Sequence, residues 1–303
     1  MPELPDILAY QSALATRLVG QPLLAVRLGS PFVLRSVAPP LAECHNREVL
    51  GIRRIGKRLV LDLQGDLHLV VHLMIAGRLK WLPTGAKLPG KLGLCAFDFP
   101  TGTLVLTEAS GKKRASLHVI QGEAALAALD RGGVDVLHAS LADFTDALRR
   151  ENHTLKRSLT DPRLIDGVGN AYSDEILHRA RLSPMQLTAK MTDAQIAQLH
   201  AAAQAVLTEW IARLAPKKDG DFPKEVTAFR PEMAVHGRFR LPCPDCGTAV
   251  QRIVHGEQEC NYCPRCQTDG RVLADRALSK LLHGDWPKRV EDLEELGALG
   301  VKK

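Results

Sequence analysis

The chain has 303 residues, enough for two domains of ordinary size or for one domain with small modules. Hydrophobic residues make up 45% of it and charged residues 24%, as in a folded protein. The N-terminus lacks the pattern of a secretory signal, and no apolar run reaches the about 18 residues that predict a membrane span. A net charge of +6 and an isoelectric point near 9.0 favour an anionic partner such as nucleic acid, although a solvated basic surface would give the same values.

The opening stretch, MPELPD, has two interpretations. Pro5 suits the first turn of a helix, and acids at Glu3 and Asp6 suit the positive end of its dipole. Alternatively, removal of Met1 would give Pro2 a secondary amine that can act as a nucleophile. Taken alone, the residues favour the helix start.

The first third of the chain alternates short apolar runs with turn residues, which predicts antiparallel strands. QGD is predicted to be a tight turn between LVLDL and LHLVVHL, and DFPTGTLVLTE to be a second hairpin. Basic residues cluster in GIRRIGKRLVL, where a solvated strand edge is the simpler explanation. The periodicity changes after RGGVDVL, residues 131–137, which is a candidate domain boundary.

Helical patterns dominate from about residue 140. The strongest predicts a helix over 192–215, begun by a capping box of Thr192 and Gln195. Upstream, GVGNAY lies between two predicted helices and lacks the third glycine of a dinucleotide fingerprint, so we expect no nucleotide cofactor. Such a turn can grip a phosphate at the next helix start, or it can be an ordinary link between helices.

The seven cysteines do not form an evenly paired secreted framework, and they indicate a reducing cytosol. CPDCGTAVQRIVHGEQECNYCPRC has sixteen residues between two C-x2-C pairs, which is zinc-ribbon spacing. We therefore expect one structural Zn²⁺ that stabilises a small hairpin and performs no chemistry. Its predicted ligands are Cys243, Cys246, Cys263 and Cys266.

Together, PELP at the start, a lysine on an early hairpin, GVGNAYSDE in the middle and the paired CxxC module resemble the formamidopyrimidine-DNA glycosylase and endonuclease VIII family of base-excision repair enzymes. The resemblance covers residues 1 to about 268. It implies an α+β multidomain protein with damaged DNA in a cleft between the first domain and the others. The implied parts are a catalytic β-sandwich with a flanking helix (1–135), a helix-two-turn-helix domain (140–235), a zinc finger (236–270) and a C-terminal extension (271–303).

The resemblance also implies roles for individual residues. Pro2 would attack the sugar C1′ and form a Schiff base, and Glu3 would act as general acid on the ring oxygen. Lys57 would contact the phosphate near the lesion and assist catalysis. Asn170 would bind phosphate from the central turn, with Lys156 as a further backbone contact. The protein would act as a monomer in the cytoplasm, at the nucleoid.

The chain departs from the family at the residues that usually fill the gap left in the DNA by the flipped base. The usual methionine of H-L-x-M-x-G is Ile75 here, with Met74 one position earlier. No phenylalanine occurs in TEASGKKRASLH, whose only cations are Lys112, Lys113 and Arg114. Gln258 stands where a zinc-finger arginine is expected, and PKKDGDFPKE replaces the loop that covers 8-oxoguanine.

We therefore predict a DNA glycosylase and abasic-site lyase whose cleavage chemistry is retained and whose lesion recognition has changed. Oxidised pyrimidines, abasic sites and single-stranded or bulky lesions stay open as substrates, and abasic sites need no base pocket. The alternative is a relative that binds damaged DNA without cutting it.

Overall fold

The structure is a computed structural model that describes residues 1–216, 221–223, 226–227, 229–255, 258–274 and 287–293. The chain divides into two compact units. The first contains Met1–Gly132 and Thr208–Ala228, and the second contains Gly133–Leu207 and Phe229–Lys303.

The first unit is an antiparallel β-sandwich. One sheet has the order β1-β3-β4-β5-β9 and the other β2-β7-β8-β6. Their apolar faces share one core, to which β4, β5, β7 and β8 all contribute. The strands are β1 (Pro22–Leu23), β2 (Ala25–Leu28), β3 (Arg47–Ile55), β4 (Arg58–Leu63), β5 (Leu67–His72), β6 (Gly77–Leu82), β7 (Gly93–Phe99), β8 (Gly102–Glu108) and β9 (Ser116–Gln121).

Strand pairing confirms both predicted hairpins. β4 pairs with β5 across the QGD turn, with Leu63 opposite Leu67, and β7 pairs with β8 with Phe99 opposite Gly102. The period of two in β4 turns Leu59 and Leu61 into the sandwich core, and it turns the intervening Val60 towards helix α2 (Glu123–Ala127).

Helix α1, Leu4–Leu18, flanks the sandwich and fixes the start of the chain. Its Ile7, Tyr10 and Leu14 are part of the sandwich core. The Tyr10 hydroxyl donates to the Leu79 carbonyl at 3.4 Å and accepts from the Leu79 N–H at 3.2 Å. Because one buried face and one buried hydroxyl anchor the helix, the residues at its N-terminus have a defined position beside the hairpins.

The second unit contains the predicted helices. The helix expected over 192–215 is α6, Asp193–Leu214, and its capping box is confirmed, since Thr192 and Gln195 exchange hydrogen bonds of 3.1 and 3.2 Å. The C-terminal end of α6 belongs to the first unit. The other helices and strands are α3 (Leu141–Arg149), α4 (Leu155–Thr160), α5 (Asn170–Arg179), β10 (Gln251–His255), β11 (Gln258–Tyr262) and α7 (Pro264–Thr268).

Some sequence predictions fall partly outside the described residues. They concern the loop PKKDGDFPKE, the side chain of Gln258 and most of the extension 271–303. Of the loop, Phe222 is described, and its ring packs against Tyr10 with a centroid distance of 5.7 Å. Among the described helices, none has the length and apolar character needed to cross a bilayer.

Candidate active site and nucleic-acid interface

Two of the three residues predicted to be catalytic are buried at the start of α1. Pro2 is buried and Glu3 is only 2% exposed. Glu3 is the N-cap of α1, and its N–H donates to the carboxylate of Asp6 at 3.0 Å, with Pro5 in the first turn. The helix-start interpretation is therefore confirmed, and the same capping geometry holds Pro2 and Glu3 in a fixed, water-poor position.

The terminal amine, carried by Met1 in this chain, lies in an unusual electrostatic environment. Burial lowers its pKa below the usual 8.0. Glu3 and Asp6 act in the opposite direction, whereas the positive charges of Arg78 and Lys57 lower the pKa further. An amine in this position is unprotonated, and therefore nucleophilic, to a greater extent at neutral pH than an exposed one.

Lys57 reaches this site because it lies in the tight turn between β3 and β4. Gly56, the residue before it, has φ +59°, a conformation that glycine adopts without strain. Glu3 and Lys57 thus both act electrostatically on the terminal amine, in opposite directions. Arg78 was not predicted from the sequence, since it belongs to no motif and only the pairing of β6 brings it here.

The turn before β6 carries the two residues predicted to fill the gap in the base stack. Met74 has φ +52°, a backbone conformation that residues other than glycine rarely adopt. Ile75 follows it and is 49% exposed. The Arg78 guanidinium braces this turn by donating to the carbonyl of Gly77 at 2.7 Å and to that of Ile75 at 3.3 Å.

The three cations of the loop TEASGKKRASLH, predicted to bind DNA, differ in their contacts. The Lys113 ammonium donates to the backbone carbonyl of Glu108. Lys112 and Arg114 are exposed, and among the described residues their charged groups have no hydrogen-bond or ion-pair partner. Of the three, these two side chains can meet a phosphate without giving up a contact in the described part of the protein.

In the second unit, the central turn leads directly into α5. Gly169 is the N-cap and Asn170 is the first residue of the helix. The Asn170 amide donates one hydrogen to the Glu259 carbonyl at 2.8 Å, which leaves its second hydrogen for another acceptor. A helix N-terminus with such an amide suits a phosphate oxygen.

Lys156 occupies a more enclosed position than a phosphate contact requires. Its ammonium donates to the Asn170 carbonyl at 2.7 Å, to Ser173 Oγ at 2.8 Å and to Asp174 Oδ1 at 2.6 Å. These acceptors match its three hydrogens, and the side chain is 14% exposed. Lys156 therefore holds the turn in place, and its contact with DNA stays a prediction.

Two acids of α5, absent from the predicted site, join this helix to the zinc module. Buried Asp174 accepts from His236 Nδ1 at 2.8 Å and from the Asn261 N–H at 3.1 Å. Glu175 accepts the successive N–H groups of residues 234–236 at 2.7 to 2.9 Å. The sequence signal was the acidic pair in SDE, but its partners lie about sixty or more residues away and only the fold identifies them.

The four predicted zinc ligands come together, confirming the zinc-ribbon site. All their Sγ atoms lie within 4.8 Å of one another. Cys246 and Cys263 are separated by 3.4 Å and Cys243 and Cys266 by 4.0 Å, close to the about 3.8 Å edge of a tetrahedron with Zn–S bonds of about 2.3 Å. His178 Nε2 lies 3.2 Å from Cys243 Sγ, so α5 also contacts the metal site from outside.

Three family models match successive parts of the chain. Residues 1–117 match the N-terminal domain of formamidopyrimidine-DNA glycosylase, residues 134–217 match its H2TH domain, and residues 240–268 match the zinc finger found in FPG and IleRS. A formamidopyrimidine-DNA glycosylase of Thermus thermophilus is 33% identical over 281 residues, 89% of this chain and 100% of that protein. The chain belongs to the formamidopyrimidine-DNA glycosylase family.

Solved structures of this family share the fold. The MutM (Fpg) protein of Thermus thermophilus has a TM-score of 0.73 at 30% identity, covering 88% of this chain and 98% of that one. The Lactococcus lactis Fpg protein, solved with DNA containing an oxidised pyrimidine, has a TM-score of 0.78 at 25% identity and covers 88% of this chain and 100% of that one. The predicted fold class is therefore confirmed.

Proposed function

We propose that this formamidopyrimidine-DNA glycosylase family member removes damaged bases and nicks the DNA strand as an abasic-site lyase, with Pro2 as the nucleophile. The observation that carries the proposal is the burial of Pro2 and Glu3 next to the Met1 amine, whose pKa is lowered by burial and by the positive charges of Arg78 and Lys57. A structural helix start alone would need no buried amine whose pKa two positive charges lower further.

Each residue has a chemical task in this reaction. The Pro2 amine, exposed by removal of Met1, forms a bond to C1′ as the C1′–N bond to the base breaks. The base leaves with the bonding electrons and takes up the proton that the amine nitrogen loses. Glu3 gives a proton to the ring oxygen as the sugar opens to the iminium. Loss of a C2′ proton then breaks the C3′–O bond, and water releases the protein from the product. Lys57 holds the neighbouring phosphate.

DNA is held at two other places in this proposal. Asn170 and the N-terminus of α5 contact a phosphate, supported by the amide hydrogen that Glu259 does not use. Lys112 and Arg114 contact the backbone near the lesion, supported by their exposure. The protein acts as a monomer, with the domain limits 1–135, 140–235, 236–270 and 271–303.

The altered gap-filling residues support one class of substrate. Ile75 offers an exposed apolar side chain that can insert into the base stack. The loop TEASGKKRASLH, which usually supplies an aromatic ring for the same gap, has none here. Stabilisation of the unpaired opposite base is therefore weak, which favours lesions that are already unstacked: abasic sites and damaged bases in single-stranded or distorted DNA. An 8-oxoguanine preference is not part of the proposal.

Borohydride trapping on an oligonucleotide with an abasic site tests the proposal. Borohydride reduces the iminium, so a protein–DNA adduct should form with the intact protein. The adduct should be lost with a blocked N-terminus, and Pro2→Gly should form it far more slowly. Absence of an adduct on every damaged strand, combined with damage-selective binding, would instead identify a non-catalytic damaged-DNA-binding relative.

A further inference from the structure

A buried acid lies at the base of the loop that carries Lys112, Lys113 and Arg114. Glu108 is the last residue of β8, and it is 1% exposed. Its carboxylate accepts from Ser110 Oγ at 2.8 Å, from the Arg114 N–H at 2.8 Å and from the Ala115 N–H at 3.0 Å. One carboxylate therefore binds both ends of the loop over residues 109–115.

These hydrogen bonds replace strand pairing that the loop does not have. Residues 109–115 lie between β8 and β9 and belong to neither strand. The N–H groups of Arg114 and Ala115 point to a buried carboxylate instead of a neighbouring strand, and bonds to a charged acceptor are stronger than those between neutral groups. Without Glu108, these donors would have to find water or move.

The same anchoring decides which cations face outwards. Lys113 is drawn back to the Glu108 carbonyl, while Lys112 and Arg114 stay exposed on either side of it. We infer that Glu108 is a positioning residue: it holds the loop so that Lys112 and Arg114 meet DNA phosphates where the family's aromatic wedge is absent. This inference rests on the proposed function, because it assigns the loop to DNA bound for repair.

Hydrogen exchange on the unaltered protein provides the first test. The amide hydrogens of Arg114 and Ala115 should exchange much more slowly than those of Gly111 and Lys112, although all four residues lie outside the strands. Equally fast exchange at all four positions would overturn the inference, and this test needs no variant that might fail to fold.

Substitutions provide the second test, through the KM for a duplex with an abasic site. Glu108→Ala removes a negative charge, which by itself would tighten DNA binding. The positioning role predicts the opposite, a rise in KM of about tenfold with the maximal nicking rate within about twofold of the original protein. Trypsin should also cut faster after Lys112 and Arg114.

Glu108→Gln tests whether the hydrogen bonds of residue 108 or its negative charge are responsible, because it removes the charge and can keep the bonds. Its carbonyl can accept the two backbone N–H groups, and its amide can donate to Ser110 Oγ, which lies 2.7 Å from the Lys112 carbonyl and can pass on its own hydrogen. This variant should recover the KM to within about twofold. Glu123→Gln is the matched control, because it removes the same charge from a surface ion pair with Arg53.

The outcomes distinguish the two proposals. If Glu108→Ala has the KM and trypsin sensitivity of Glu123→Gln, or if Glu108→Gln is as impaired as Glu108→Ala, the positioning role is wrong while the lyase activity stands. If the original protein nicks no abasic strand, the proposed function fails. The positioning role would still be tested by the dissociation constant of the same variants for the same duplex.

Discussion

The side-chain amide of Asn170 donates a hydrogen bond to the backbone carbonyl of Glu259 at 2.8 Å. Asn170 begins α5 and Glu259 lies in β11, so this bond joins the helix-two-turn-helix to the zinc hairpin. Asp174, Glu175 and His178 extend the connection along the same helix. The zinc module therefore supports the proposed phosphate contact as well as its own hairpin.

Zinc removal should weaken DNA binding partly through Asn170. A strong chelator should release about one zinc per chain, and loss of the metal should loosen the hairpin that carries Glu259. We expect Asn170→Ala to weaken binding about tenfold in the zinc-loaded protein, and to have little further effect after chelation. Metal analysis and fluorescence anisotropy with several DNA sequences measure these effects.

The same titrations over a range of salt concentrations test the phosphate assignment. Asn170→Ala should weaken binding to all sequences alike. Because the amide is neutral, the slope of log K against log salt should change by much less than the about 0.9 expected for the loss of one cationic phosphate contact. Gln204→Ala is the control, since its amide also donates to a backbone carbonyl, that of Val136, away from this turn. A loss confined to particular sequences would contradict a phosphate contact.

Arg78 should set the pH dependence of Schiff-base formation. Its positive charge lowers the pKa of the terminal amine, so Arg78→Gln should raise that pKa and move the midpoint of the rate profile to higher pH. The variant should be slow at pH 7 and should regain its rate under alkaline conditions. Single-turnover trapping on an abasic site at a series of pH values measures the shift.

Arg78→Lys tests whether charge or bracing is responsible, because lysine keeps the charge and loses the paired bonds to Ile75 and Gly77. If charge is responsible, Arg78→Lys should keep the midpoint of the pH–rate profile at the low pH of the original protein. Arg35→Gln, a surface change in the same unit that does not act on the amine, should leave the profile unchanged. A midpoint that is the same in Arg78→Gln and in the original protein would refute the electrostatic role.

Asp174 should contribute stability that depends on pH. Burial alone would raise its pKa, but Lys156 and His236 outweigh burial and hold the pKa below 3.8. A depressed folded-state pKa gives stability that is present above pH 3.8 and is lost as pH falls towards the folded value. Thermal unfolding of Asp174→Asn should therefore show a deficit at neutral pH that narrows in acid.

At pH 7, Asp174→Asn leaves the Lys156 ammonium without its charged partner and should lower the free energy of unfolding by about 3 kcal/mol or more. Lys156→Met with Asp174→Asn should be less destabilised than the single change, because no unpaired buried charge remains. Denaturant unfolding measures both variants. Additive losses would show that the pair is not coupled.

Ile75 should matter for duplex substrates and not for single strands. Ile75→Ala shortens the exposed side chain that we propose fills the gap in the stack, so base removal from duplex DNA should slow about tenfold or more. Nicking of a single-stranded abasic site should stay within about twofold, because no stack has to be filled. Leu50→Ala, another exposed apolar residue of the first unit, is the control.

The sequence predicted the elements whose signals are local. The alternation in LVLDL and LHLVVHL, the capping box at Thr192 and the two C-x2-C pairs each specify structure over a few residues or one turn. The order of the motifs along the chain supplied the family. Hydrophobic period and metal-ligand spacing are patterns over short stretches of the chain, which is why the sequence alone could predict them.

Tertiary structure alone decided which cationic side chains are available to contact DNA. Lys156, Lys112, Lys113 and Arg114 are all cations in the sequence, but Lys156 is held by Asp174 and Lys113 by Glu108, and two remain exposed. The pairing of β6 with β8 positions Arg78 so that its charge acts on the terminal amine. Long-range strand register and burial set these partnerships. The sequence determined the residues with reactive chemistry, and the fold determined their partners, because charge and hydrogen-bond contacts depend on distances that separation along the chain does not encode.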